Sequence, residues 1–228
     1  MLLLNFRSRK NTLLLLILQI PASLLIIAFV PTNFGKLAAF LVLWTLTFSG
    51  FNKLDLIFYI GACFFFTAMN AASLKQGIFI FSNPDLLGMP IYEIFMWGFY
   101  LLHLKRVLGG AAPNGRRILV WLLALSFTAA FAVISNSKIL TIVTGILLII
   151  GLSMYHEPLD FSYTIYFILF GAAIEYVGVH SGQWFYPGAP MGGVPLWFIT
   201  LWGGVGLLMR RLVIPILYKY ESEKILPN

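Results

Sequence analysis

Charge is what this sequence has least of: only 10% of its 228 residues are Asp, Glu, Lys or Arg. A soluble domain of this length needs a polar shell that such a composition cannot supply. There is a single cysteine, Cys63, set in an apolar run, which excludes a disulfide framework. The histidines, His103, His156 and His180, are scattered without metal-ligand spacing, so no metal site is expected. No Walker loop, dinucleotide glycine pattern or nucleophile elbow is present, and no cofactor is expected. The 15 lysines and arginines exceed the 8 acids, giving a net charge of +7. They are dispersed at the ends of apolar runs rather than massed on one face, which argues against a nucleic-acid partner.

What fills the sequence is apolar: 60% of its residues are hydrophobic and 16% aromatic. A helix crossing a bilayer core needs about 20 apolar residues. Apolar runs recur near 11–31, 34–51, 54–70, 90–105, 117–135, 138–154, 159–177 and 195–215. The pattern predicts an all-α, polytopic integral membrane protein of about eight transmembrane helices, the second and sixth being the shortest. Pro90 and Pro195 open the fourth and eighth segments, where a missing N–H does no harm. Arg7, Arg9 and Lys10 ahead of Leu13 to Val30 imitate a signal peptide. That apolar stretch is longer than a signal core and ends in no small-x-small cleavage site, so it reads as a retained span. Eight spans place 12 of the 15 lysines and arginines on one side, leaving Lys36, Lys75 and Lys138 on the other. The positive-inside rule then makes both termini cytoplasmic.

The chain also repeats itself. A shift of 105 residues lays GIFIFSNPDLLGMPIYEIFMWG (Gly77 to Gly98) on GQWFYPGAPMGGVPLWFITLWG (Gly182 to Gly203) without a gap. Gly77 meets Gly182, Gly88 meets Gly193, Pro90 meets Pro195, and Trp97-Gly98 meets Trp202-Gly203. The same frame pairs Leu54-Asp55 with Leu159-Asp160, Asn70 with Glu175, Phe79 and Phe81 with Trp184 and Tyr186, and Arg106 with Arg211. Two four-helix repeats, 1–110 and 111–228, are expected within one membrane domain. Because four is even, both copies enter the membrane from the same side, as parallel repeats about an axis along the membrane normal.

Ionised groups inside a span are unfavourable, by about 2.5–3.5 kcal/mol at mid-helix, so each asks for a reason. Asn70 and Glu175 fall near the outer ends of the third and seventh segments, and Glu93 lies one turn into the fourth. All three flank two long loops rich in glycine, proline and aromatics, the kind of loop that tends to carry function. One reading makes Glu93 a complement to a helix N-terminus and Glu175 an interfacial carboxylate. The other makes Glu93, Glu175 and Asn70 the reacting groups of a pocket. The aromatics Phe79, Phe81, Trp184 and Tyr186 either anchor the chain at the interface or wall a ligand. Trp97 and Trp202 join them as expected substrate contacts. Asp55 and Asp160 open the third and seventh segments and read as caps or helix-dipole partners.

The repeated order of polar residue, glycine seven positions on, aromatics, then Gly-x-Pro opening a helix resembles the lycopene cyclase domain of bacterial, archaeal and fungal carotenoid enzymes. Those proteins carry duplicated units with an acidic residue before G-x-W-x-F and a P-x-E-E helix start. The first copy here runs Asn70, Gly77-Ile78-Phe79-Ile80-Phe81, Pro90-Ile91-Tyr92-Glu93. The second runs Glu175, Gly182-Gln183-Trp184-Phe185-Tyr186, Pro195-Leu196-Trp197-Phe198, and is also similar to membrane carotenoid hydratases. The paired glutamates are reduced to Glu93 in the first copy and are absent from the second, and Asn70 stands where the family has an acid.

The resemblance implies a cofactor-independent enzyme of carotenoid or isoprenoid metabolism acting on an apolar isoprenoid or lipid taken from the bilayer. A neutral carboxylic acid, Glu93 or Glu175, would protonate a terminal double bond of a polyene, aromatics would shelter the cation, and a second base would remove a proton to close a ring. Water capture of the cation would make the protein a hydratase instead. A non-enzymatic membrane carrier or lipid-binding protein, and a structural subunit whose catalytic copy is lost, also fit the pattern, alone or as a homo- or hetero-oligomer.

Topology is directly testable. Reporter fusions after Asn114 and at the C-terminus should both report cytoplasm, and a fusion near Ser82 the opposite side; a cytoplasmic Ser82 would rule out eight spans.

Overall fold

The structure is a computed structural model that describes residues 9–48, 51–113, 117–189 and 192–225, with backbone alone at 9–13 and 220–225. Arg7, Asn114, Arg116, Pro190 and Met191 lie outside the described residues. Every apolar segment of the sequence is helical. In chain order these are α1 (Arg9–Phe29), α2 (Asn33–Thr47), α3 (Lys53–Lys75), α4 (Ile91–Leu108), α5 (Arg117–Val133), α6 (Ser137–Met154), α7 (Pro158–His180) and α8 (Trp197–Leu208). A π-helical turn, Met209–Val213, continues α8 into α9 (Ile214–Ile225). Four stretches are long and apolar enough to cross a membrane: α3, α6, α7 and Trp197–Lys219. Leu14–Phe29, α2 and α5 are apolar but shorter. Large apolar side chains such as Leu14, Phe64, Ile118, Leu125 and Leu169 point outward, as they do where lipid rather than water is the solvent.

Local chemistry explains where helices begin. The Thr32 side chain accepts the amide of Gly35 at the start of α2, and Asn52 that of Asp55 at the start of α3. Asn136 accepts those of Lys138 and Ile139 for α6. Asn52 thus caps α3, which leaves the Asp55 carboxylate for other partners. α3 and α7 run on past their expected ends at 70 and 177, to Lys75 and His180, so Asn70 and Glu175 sit inside helices rather than at their tips.

The chain packs as two units, 1–107 with 173–193 and 108–172 with 194–228. The division falls within α7, so Glu175 and the loop after it belong to the first unit. In that unit Trp44 stacks on Phe40 and Phe99, and Trp97 on Phe66 with ring centres 4.1 Å apart. The short strands β1 (Ile80–Phe81) and β2 (Trp184–Phe185) pair antiparallel. Asp55 takes both Lys105 at 2.9 Å and Arg106 at 2.8 Å. In the second unit, close helix approach depends on missing side chains. A Cβ at Gly204 would press on Phe127, at Gly151 on Leu207 and Leu123, and at Gly206 on the backbone of Tyr163. Asp160, fully buried, takes Arg211 through both carboxylate oxygens, and Glu157 pairs with the same guanidinium at 3.0 Å.

Several of these contacts recur at the offset of 105 residues. Asp55 with Arg106 matches Asp160 with Arg211. Trp97 lies over Phe66 where Trp202 lies over Gly171. α3 and α7 end alike: the amide of Ile78 donates to Ser73 O at 3.2 Å and that of Gln183 to Gly178 O at 2.8 Å. The glycines that make this wrap stand at φ 69° (Gly77) and 71° (Gly182), a region that side-chain-bearing residues rarely occupy.

The two clamps differ in burial, and that sets their contributions. Asp160→Asn should destabilise the protein by about 3–5 kcal/mol, the range for breaking a buried pair. Asp55→Asn should cost about 1 kcal/mol, because its basic partners reach solvent. Thermal or denaturant unfolding in detergent checks the order, and equal effects would contradict it.

Candidate functional site

Glu175 lies in the last turns of α7 and is 8% exposed. Past His180 the chain turns back at Gly182 and returns as β2. Alternation along a strand puts Trp184 and Tyr186 on one face, and both are buried while Phe185 between them is exposed. Both reach Glu175. The Trp184 indole Nε1–H donates to Oε2 at 3.0 Å and the Tyr186 hydroxyl donates to the same oxygen at 2.6 Å. Gly178 makes this possible, since a Cβ there would overlap the indole ring. Burial and the nearby Glu175 carboxylate push the Tyr186 hydroxyl well above its ordinary range, so it remains an O–H donor.

β1 supplies the facing half. Ile80 pairs with Phe185, and Phe81 with Trp184. Phe79 and Phe81 are buried and Ile80 is exposed. The Phe81 and Trp184 ring centres are 5.9 Å apart and those of Phe79 and Tyr186 are 5.8 Å apart, within the range of favourable aromatic pairing. Ile80 therefore stands opposite its own repeat counterpart, and the two ring pairs exchange places under the 105-residue shift. The ladder has the local twofold that a duplicated segment pairing with itself would have.

Glu93 is half-buried in the first turn of α4. Its Oε1 accepts one long bond, 3.4 Å, from the Asn70 amide, and Asn70 is itself buried. The charges of Glu93 and Glu175 act on one another, and Tyr186 and Tyr100 lie within range of both. The structure thus brings together Asn70, Glu93, Glu175, Phe79, Phe81, Trp184 and Tyr186. Trp97 stacks on Phe66 one helical turn along α4 and α3 from the Glu93–Asn70 bond, and in the second unit Trp202 packs against Gly171 and Phe167. His180 is tied to the Tyr176 carbonyl at 2.8 Å. Among the described residues, no cluster of three or more His, Cys, Asp and Glu could hold a metal.

Three nearby residues escaped the sequence reading. The buried Lys36 ammonium donates to Gln183 Oε1 at 2.7 Å and lies 5.5 Å from the centre of the Tyr92 ring. Tyr92 is fully buried and directly precedes Glu93. Lys36 counted only as an outer-side charge, although a lysine in an otherwise uncharged run near 34–51 is itself a signal. Gln183 stands inside the repeated motif, where the first copy has Ile78. Chemically, two interacting carboxyl groups bordered by aromatic rings can hold a proton and pass it to an apolar molecule.

Gly178→Ala should move the Trp184 indole off Glu175 and destabilise by about 1–3 kcal/mol, as overpacking does. Gly61→Ala is the control: its Cβ would meet nothing within 4 Å, and a helical Gly→Ala change there should stabilise by about 0.4–1 kcal/mol. Unfolding midpoints of the two variants should move in opposite directions, and a neutral Gly178→Ala would contradict the packing described. Comparison of the chain with protein-family models, with characterised proteins and with solved structures finds no match.

Proposed function

We propose that the protein is a membrane enzyme that protonates the end group of an apolar polyene, using Glu93 and Glu175 as an acid–base pair. The observation that carries this reading is the unequal treatment of the two carboxyl groups. Glu175 Oε2 accepts two hydrogen bonds, from the Trp184 indole and the Tyr186 hydroxyl. Glu93 has one long bond from Asn70, and it is left to hold the transferable proton.

In the proposed reaction the Glu93 proton adds to a terminal double bond, leaving a tertiary carbocation. A neighbouring double bond of the same chain supplies the electron pair that closes a six-membered ring and moves the charge into it. Glu175 then removes a proton from the adjacent carbon and restores a double bond. Product and substrate are isomers, and one proton returns from Glu175 to Glu93 to reset the pair. The faces of Phe79, Phe81, Trp184 and Tyr186 offer negative π-density to the cation, a contact that contributes about 2 kcal/mol when desolvated. Capture of the cation by a water molecule before proton loss would give a hydrated end group instead.

The same reading takes the protein as eight spans built from two parallel four-helix repeats with both termini cytoplasmic. Its support is the recurrence of the arginine clamps, the helix ends and the twofold ladder at one offset. The family resemblance in the motifs supports the substrate class, and an apolar substrate entering from the lipid is consistent with the outward apolar surface.

Expression in a polyene-producing host with pigment analysis tests the proposal. Glu93→Gln and Glu175→Gln should each lower turnover by about 10²–10⁴-fold, the usual contribution of a positioned acid or base. Tyr186→Phe, which leaves Trp184 as a donor to Glu175, should have a smaller effect. Full activity in both glutamine variants, or no pigment change with the unaltered chain, would overturn it.

A further inference from the structure

Among the described residues, the buried cations follow a pattern with one exception. Arg210 and Arg211 are buried and both pair with carboxylates, Glu157 for the first and Glu157 with Asp160 for the second. Half-buried Lys105 and Arg106 share Asp55. Lys36 is 2% exposed, yet among the described residues no carboxylate stands at ion-pair distance from it. Its partners are neutral: the Gln183 carboxamide oxygen at 2.7 Å and the face of the Tyr92 ring at 5.5 Å. Asp85, which is bonded to the first residue of α2, is engaged by Asn33 Nδ2 at 2.8 Å and the amide of Ile91 at 2.9 Å.

Position makes the exception sharper. Lys36 lies in the first turn of α2, where the helix dipole is positive and disfavours a cation. A buried ammonium that lacks a counter-charge is strongly unfavourable. A second orphan adjoins it: the Tyr92 hydroxyl is buried with no hydrogen-bond partner among the described residues. Since Lys36 sits over the ring that carries this hydroxyl, one small anion could take a bond from each.

We propose that Lys36 and Tyr92 form a binding site for an oxyanion, a carboxylate or phosphate, carried as the head group of an apolar chain. The ligand supplies the negative charge that the protein withholds. The end of an apolar helix is where such head groups lie. A lysine serves as a point charge that accepts either oxyanion, without the planar fork by which arginine selects bidentate partners. This site adjoins the acid–base pair, since Tyr92 directly precedes Glu93, but uses neither carboxyl group as a ligand contact.

Binding to the full-length protein in detergent, followed by native mass spectrometry or tryptophan fluorescence, tests the site with ligands that share one tail. Oleate and oleyl phosphate should bind at least 10-fold more tightly than oleyl alcohol. Inorganic phosphate separates the sources: weak binding assigns the site to a lipid head group, and Lys36-dependent binding as tight as that of oleyl phosphate assigns it to a free anion. Lys36→Met should abolish the preference for charged heads and Lys36→Arg should keep it. Tyr92→Phe should reduce it several-fold. Gln183→Leu removes the tether and leaves the ammonium, so it should retain the preference if Lys36 is a ligand-binding group. Equal binding of oleate and oleyl alcohol by the unaltered chain, or an unchanged preference in folded Lys36→Met, would overturn the proposal. So would loss of the preference in Gln183→Leu and Lys36→Met alike, which would make Lys36 a structural tether.

Discussion

A carboxyl group buried among apolar helices is unfavourable unless donors meet it, and the surroundings of Glu175 are organised around that requirement. Two donors come from one short strand, because Trp184 and Tyr186 are two positions apart and share a face. For that strand to return toward α7, the helix must end in a left-handed residue, which Gly182 provides. For the indole to lie flat on the helix, the residue beneath it must have no side chain, which Gly178 provides. Once Trp184 and Tyr186 face inward, the register of the ladder turns Phe79 and Phe81 inward as well. The aromatic wall is therefore a consequence of holding one oxygen atom.

The duplicated frame preserves what is mechanical and varies what is chemical. Clamp, helix end and aromatic ladder occur at equivalent positions, where geometry leaves few substitutes. The polar positions differ. Asn70 stands where the second copy has Glu175, and Phe198 where the first has Glu93. Each copy so contributes one carboxyl group, from a different place in its motif. Four acids in a symmetric arrangement would set like charges against one another at close range, whereas one pair can share a proton.

Helix positions were legible because apolar runs of this length have few alternatives, and caps such as Asn52 and Asn136 stand where polar residues interrupt them. The 105-residue offset ties Asn70 to Glu175, and the place of Glu93 one turn after Pro90 sets it at the same end of its segment. Other features were not. What Trp97 and Trp202 lie over, Phe66 in one case and Gly171 in the other, depends on the packing of neighbouring helices, which a motif does not show. That Asn70 addresses Glu93 depends on the rotation of two helices about their axes, which a coarse span assignment leaves open. Charge alone marks Lys36 as an outer-side residue, whereas its contacts with Gln183 and the Tyr92 ring depend on the packing of α2 against distant segments.

A two-residue strand pair has too few backbone bonds to persist alone, so its survival depends on what flanks it. On one side lie the rings of Phe79, Phe81, Trp184 and Tyr186. On the other lie the backbone bond from Ser82 N to Gln183 O at 2.9 Å and the side-chain bond from Lys36 to Gln183. Gln183 is the residue before Trp184, so α2 is fastened to the strand immediately next to a donor that addresses Glu175. A disturbance at Lys36 therefore reaches the candidate acid–base pair through a single residue. Glu175 is buried by packing and, through this fastening, its donor strand is tied to a helix that carries neither carboxyl group.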